Sequence, residues 1–165
     1  YGNLGIMFPM ITSVSEVQKV LEICKTVREE LQAEQIPYAE KMELGIMIET
    51  PAAAIISDQL APLVDFFSVG TNDLTQYTLA CDRQNPDIES FCDTHHEAIL
   101  RLIAWSAKNA HEHGAWIGIC GELAADTSLT ERFLRMGIDE LSVSPTFVLK
   151  VRDAVRKVDL HTKED

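Results

Sequence analysis

Apolar positions along this chain fall into two alternating rhythms. Five short runs are apolar nearly throughout: LGIMFPMI (residues 4–11), LGIMIE (44–49), VDFFSVG (64–70), WIGICGE (116–122) and DELSVS (139–144). Unbroken runs of this length predict strands covered on both faces, hence a parallel sheet flanked by helices. The segments between them carry helical spacing. Ser13-x-x-Glu16 is a capping box, and Val17, Val20, Leu21, Cys24, Val27 and Leu31 follow on one face. Residues 32–41 read as a polar connector. Thr50-Pro51 opens a short helix, with Pro at the first helical position. Residues 71–93 read as a long loop. Residues 96–113 predict a helix built on Ile99, Leu102, Ile103 and Ala110 and stopped by Gly114. Asp126 is expected to cap a helix ending at Met136-Gly137, and Ser144-Pro145 to open a last one carrying Phe147, Val148, Val151 and Val155. Trp105, Trp116 and Met136 read as core, and HTKED as a tail.

The fold class is therefore α/β, with a β-α unit repeated five times. A doubly wound sheet and a (β/α)8 TIM barrel both fit. No strand is followed by GxGxxG or by GxxxxGK[ST], so neither nucleotide-binding fingerprint is present. Polar residues recur instead at strand C-terminal ends: Glu49, Asn72-Asp73, Cys120-Gly121-Glu122 and Ser144. A barrel builds its active site at that end from several strands. A whole barrel takes roughly 250 residues, so a chain of 165 residues fits the barrel reading as a portion of one.

Composition narrows the function classes. With 14 Lys and Arg against 26 Asp and Glu, the formal net charge is −12. This argues against a phosphate-backbone partner, which needs clustered cations, so no nucleic acid is expected. No apolar run is long enough to span a bilayer and the opening YGNLGIMFPM has no basic leader region, so no membrane association is expected. Cys24, Cys81, Cys92 and Cys120 form no CxxC and no zinc frame. Scattered cysteines without a framework fit a reducing, cytoplasmic setting.

Several residues could carry chemistry. Glu49 and Asp73 end consecutive strands, and neighbouring strands lie about 4.8 Å apart. Two such carboxylates could share a hard cation; Mg2+ is held by one or two carboxylates and keeps open positions for water and substrate. Either could equally serve as a helix cap or helix-dipole partner. Arg83 could fork onto a phosphate or carboxylate, or form a salt bridge with Asp82 or Asp87. Cys120 ends a strand between Gly118 and Gly121. A free thiol, with a pKa of about 8.5, is mostly protonated at neutral pH and could donate a proton to a carbanion; the alternative is a small buried apolar residue. None of the five histidines is assigned a catalytic role.

GIMIETPAAA (residues 45–54), FFSVGTNDLTQYTLACDR (66–83) and GICGELAAD (118–126) resemble the phosphoenolpyruvate-binding barrel domain of Enzyme I of the bacterial sugar phosphotransferase system. The resemblance runs from about Gly5 to Val158. It implies the C-terminal portion of the barrel, about five β-α units corresponding to strands 4–8, over residues 1–158, with 159–165 as a tail. It implies Mg2+ held by Glu49 and Asp73, substrate phosphate bound by Asn72 and Arg83, and Cys120 as the acid that protonates enolpyruvate. The implied parent transfers phosphate from phosphoenolpyruvate to an enzyme histidine and on to the carrier protein HPr, releasing pyruvate, and is a homodimer. The histidine and the HPr-docking surface would lie in upstream domains, so the isolated chain is expected to be inactive. Pyruvate phosphate dikinase and phosphoenolpyruvate synthase are similar at GTNDLTQ but usually lack the tyrosine found here as Tyr77, and their Cys-Gly motif continues differently from Glu122-Leu123-Ala124. A non-catalytic dimerisation half-barrel is the reading from another class, since strands 4–11 and 139–144 would be unpaired edges. His96-Glu97 departs from the His-Pro common in the family.

Overall fold

One parallel sheet runs in chain order through β1 (Gly5–Phe8), β2 (Glu43–Ile48), β3 (Phe66–Gly70), β4 (Trp116–Cys120) and β5 (Glu140–Leu141). The computed structural model describes residues 3–162, so part of the tail, 163–165, lies outside the described residues. Among the described residues, seven α-helices accompany the sheet: α1 (Val14–Ala33), α2 (Pro51–Ile55), α3 (Ser57–Leu60), α4 (Thr71–Leu79), α5 (Glu97–Glu112), α6 (Thr130–Arg135) and α7 (Val148–Lys157). Successive strands are neighbours and all are parallel, as in consecutive units of a barrel wall. β1 and β5 are the sheet's edges.

The register sorts side chains into two faces, because residues alternate along a strand. Ile46, Phe67 and Ile117 are aligned across β2, β3 and β4, as are Ile48, Val69 and Ile119. All six are buried in one core with Val17, Ala53, Leu60, Leu74, Ile99, Ile103 and Phe133 from six of the helices. Each buried Val, Leu, Ile or Phe side chain among them contributes about 1.5–3 kcal/mol of transfer free energy. Gly45, Phe66 and Trp116 align on the opposite face, followed by Met47, Ser68 and Gly118, then Gly70 and Cys120. Phe66 and Trp116 stack there with ring centroids 4.5 Å apart. The expectation of helices on both faces is thus corrected. The helical core lies on one face, and the other is the concave wall that a barrel closes upon itself.

Local structure departs from expectation where polar side chains decide it. The strands are shorter than their apolar runs. β1 stops at Phe8 because Pro9 has no N–H to give the ladder and Met10 turns to φ 57°. Residues 71–93 are not one loop, since α4 occupies the first part and a 3-10 turn spans Pro86–Phe91. Thr, Asn and Asp disfavour helix interiors, but Leu74 and Thr75 are buried against neighbouring helices, and packing prevails. Asp126 does not cap a helix. Its carboxylate accepts from Ser128 N and Oγ at 2.9 and 2.7 Å, and α6 starts at Thr130; a local side-chain turn displaces the helical one. Trp105 is exposed rather than core, its Nε1 donating to the Ile55 carbonyl. The capping box at Ser13 and Glu16 and the Thr50-Pro51 start both form as read.

Candidate active site at the strand ends

Three neighbouring strands end side by side, and each leads into polar residues. Glu49 follows β2, Asn72 and Asp73 lie in the first turn of α4 directly after β3, and Cys120 closes β4. The register sets Ile48 beside Val69 and Gly70 beside Cys120, so the three ends are level.

Glu49 is 4% exposed and accepts the Met10 N–H on Oε1 at 2.7 Å. Thr50 Oγ1 donates to the Ile11 carbonyl while accepting from Ala53 N, tying the exit of β1 to the start of α2. Gly70 permits this arrangement, since a Cβ there would sit 2.9 Å from Glu49 Oε2 and Met47 Sδ. Thr71, fully enclosed at the helix start, donates to the Cys120 carbonyl at 3.0 Å. Asn72 Oδ1 accepts from Glu122 N at 3.2 Å, locking the start of α4 to the turn after β4. Gly121 makes that turn at φ 98°, ψ −170°.

Asp73 pairs through Oδ1 with Arg83 Nη2 at 3.2 Å. Neither Asp82 nor Asp87 takes that guanidinium. Arg83 also donates its backbone N–H to Gln76 Oε1. Cys120 Sγ donates to the Val69 carbonyl and accepts from Ser68 Oγ, each at 3.4 Å, so the thiol has a donor and an acceptor within reach. The strand ends bring Glu49, Asn72, Asp73 and Cys120 onto one rim, and Arg83 joins them through Asp73. Glu49 and Asp73 each have a separate protein partner, and each keeps one carboxylate oxygen without a hydrogen bond among the described residues. No group of three or more His, Cys, Asp or Glu suited to a metal occurs among the described residues. The available donors are two carboxylates, a hard oxygen set that suits Mg2+ with water and substrate completing its shell.

Two clefts flank Asn72. The larger, about 580 Å3, is lined by Asn72, Gly121, Glu122, Asp126, Ser142, Ser144 and Lys150. The smaller, about 330 Å3, is lined by Asn72, Thr75, Gln76, Cys81, Arg83, Cys92 and Glu122. Lys150 and Gln76 were not singled out from sequence. Lys150 lies on a helix whose rotation only the fold reveals, whereas Gln76, one turn after Asn72, was legible as its helical neighbour. The histidines stand apart from the rim's reactive groups. His96 caps α5, His111 pairs with Asp139, and His113 bonds the Asn109 carbonyl. His95 bonds Asp126 at 2.7 Å. The Ser128 hydroxyl on Asp126 is the main cause holding that carboxyl below its usual range, with His95 contributing. Cys81 and Cys92 form a disulfide, a pairing that the scattered cysteine spacings did not suggest; Cys24 and Cys120 are free.

The family model of the PEP-utilising enzymes' PEP-binding domain matches residues 1–160. The chain belongs to this family. It is 45% identical over its full length to the phosphoenolpyruvate-protein phosphotransferase of Lactococcus lactis subsp. cremoris, covering 29% of that protein. It is 45% identical over 96% of its length to the enzyme of the same name from Priestia megaterium, covering 28% of it. The chain thus spans under a third of these relatives. Among solved structures, a citrate lyase from Burkholderia xenovorans superposes over 91% of this chain and 48% of its own, with a TM-score of 0.66 at 20% identity. A Haloferax volcanii malate synthase superposes over 97% of this chain and 46% of its own, with a TM-score of 0.65 at 15% identity. These two likenesses establish the barrel-type fold alone. No helix among the described residues is long and apolar enough to cross a membrane.

Proposed function

We propose that this chain forms the phosphoenolpyruvate-binding part of a phosphoenolpyruvate-protein phosphotransferase. The observation that carries the reading is the level rim of three strand ends presenting a carboxylate, an amide-carboxylate pair and a thiol, in a member of the PEP-binding family. Glu49 and Asp73 would hold Mg2+, which supplies charge neutralisation to the phosphoryl group when bound. Asn72 and Arg83 would bind the phosphate. Phosphoryl transfer demands mainly positioning and neutralisation of charge, and an amide beside a guanidinium provides both. Arg83 now rests on Asp73, so engaging a phosphate requires its fork to be shared or released. That exchange would free Asp73 at the moment the anion arrives.

Cys120 would protonate the methylene carbon of enolpyruvate as pyruvate forms. Its S–H points to the Val69 carbonyl, and Ser68 Oγ stands ready to donate to the sulfur once the proton has left. A thiolate stabilised by a hydroxyl donor is a better leaving base than an isolated one. Transfer to a histidine and then to HPr, and assembly as a homodimer, belong to the whole protein under this reading.

The test is calorimetric titration of the folded chain with phosphoenolpyruvate, with and without Mg2+, beside Glu49→Ala and Arg83→Ala. The expected result is Mg2+-dependent binding that Glu49→Ala abolishes and Arg83→Ala weakens by about tenfold or more, the scale of a lost charge-assisted hydrogen bond. Binding indifferent to both substitutions overturns the assignment.

A further inference from the structure

We infer that the Cys81–Cys92 disulfide is a redox-reversible clamp that holds the Arg83 segment in place for anion binding. The inference rests on the reading of Arg83 as a substrate-binding residue. The bridge joins residues 11 apart, with Cα atoms separated by 5.8 Å. Its first cysteine is anchored: Ala80 ends α4 in the left-handed region, Cys81 N bonds the Gln76 carbonyl, and the Cys81 side chain is buried. Its second cysteine is only partly enclosed and lies beyond the 3-10 turn.

Between them, no described side chain of residues 82–91 belongs to the buried core, and Phe91 is 71% exposed. Their internal hydrogen bonds are local, such as Gln84 N and Asn85 N to Asp82 and Asp87 N to Asn85. Among the described side chains and backbone of residues 82–91, the hydrogen bonds that reach the rest of the protein start at Arg83 and end on α4, at Gln76 and Asp73. The ion pair is half exposed, and such pairs hold weakly. The bridge is therefore the strong attachment of this segment. It also lines the same cleft as Arg83 and Asn72, so the covalent restraint and the proposed phosphate ligands share one wall.

Opening proceeds by thiol–disulfide exchange with a dithiol. Its thiolate attacks the more accessible Cys92 Sγ, and Cys81 departs as a thiolate that takes a proton from water. The reagent's second thiolate then displaces Cys92, leaving two protein thiols and a cyclic reagent disulfide. Exchange with an oxidised small-molecule disulfide reverses the sequence. Once opened, the segment keeps only the two Arg83 contacts, and ordering it again falls on substrate binding. That weakens binding by roughly tenfold, the scale of immobilising a long side chain with its backbone.

The experiment follows amide hydrogen exchange by mass spectrometry and phosphoenolpyruvate titration with Mg2+ on the same full chain: oxidised, treated with dithiothreitol, and as Cys92→Ala. The expected result is faster exchange confined to residues 82–91 in the reduced protein and in Cys92→Ala. Affinity falls about tenfold in both, and Arg83→Ala shows no redox dependence. Unchanged exchange in 82–91, failure of the two thiols to pair under a disulfide oxidant, or faster exchange throughout the chain overturns the clamp. Equal affinity in both redox states of a chain that binds also overturns it. Faster exchange in 82–91 with no binding in either state upholds the clamp and instead overturns the assignment of the substrate site.

Discussion

Replacing Gly121 by Ala tests how tightly the three strand ends are locked together. Its φ of 98° and ψ of −170° lie in a region that costs a side-chain-bearing residue about 1–3 kcal/mol. A Cβ there would also stand 2.6 Å from Thr71 Oγ1 and 3.0 Å from Asn72 Oδ1. Neither neighbour can swing aside freely. Thr71 would surrender its bond to the Cys120 carbonyl, and Asn72 its bond from Glu122 N. Overpacking of this kind adds about 1–3 kcal/mol, giving a total of roughly 2–6 kcal/mol. Gly114 is the control. It has φ 78° with nothing within 4 Å of the added Cβ, so Gly114→Ala carries only the backbone cost of about 1–2 kcal/mol. Urea unfolding followed by tryptophan fluorescence separates them. With a slope of about 1–3 kcal/mol per molar, a gap of about 2 kcal/mol places the midpoints about 1 M apart. Coincident midpoints would refute the close approach of Gly121 to the α4 start. The gap must also appear in function: Gly121→Ala should lose phosphoenolpyruvate binding while still folded, and Gly114→Ala should keep it.

Other consequences follow from buried or shared polar groups. Asn109 donates to Ser57 Oγ at 2.8 Å inside the protein, and the Ser57 hydroxyl donates to the Ala54 carbonyl; Asn109→Ala should cost about 1–3 kcal/mol in thermal or urea unfolding, and no loss would mean the pair is not structural. Asp126 has its carboxyl held down chiefly by Ser128, so its stabilisation is full above the ordinary value of 3.8 and lost as pH falls through the lowered folded value. The stability gap between wild type and Asp126→Asn should therefore shrink on acidification below about pH 4, and a gap constant with pH contradicts the linkage. At the start of α1, Glu16 accepts from Thr12 N, Thr12 Oγ1 and Ser13 N, while Ser13 Oγ accepts a 3.4 Å bond from Glu16 N and shares a 3.1 Å bond with Ser15 Oγ; Glu16→Ala should lower the melting temperature more than Ser13→Ala.

Strand order and helix positions were readable because burial on the helical side imposes one demand at many residues. Ile46, Phe67, Ile117 and their neighbours must all be apolar, and that redundancy shows as unbroken runs. The concave face was not readable in the same way. Met47, Ser68 and Cys120 alternate with the core residues, but Met and Cys count as apolar in any pattern. The runs therefore looked covered on both sides when helices cover one. The helix α4 was hidden for the opposite reason. Its residues TNDLTQYTL are mostly polar, and only Thr71, Leu74 and Thr75 among them are buried, with Leu74 the one apolar residue of the three.

The site divides along the same line. Residues whose position follows from the end of a strand, Glu49, Asn72, Asp73 and Cys120, were found where the runs end, because strand spacing and parallel register alone bring them level. Arg83 and the two bridged cysteines depend on a segment with no buried core, and no periodicity constrains it. Its geometry is set by point contacts: one disulfide, one carboxylate and one amide. Point contacts leave no repeating trace in a sequence, and they are also the contacts most easily undone. Glu49 and Cys120 are therefore held at their strand ends, and Asp73 in the first turn of α4, in every state in which the chain is folded, whereas the guanidinium is held only while its own few partners persist. Under the proposed function, the strand ends decide whether a site exists at all, so Glu49→Ala abolishes binding, whereas residues 81–92 set only how tightly the anion is held, so opening the bridge weakens binding without abolishing it.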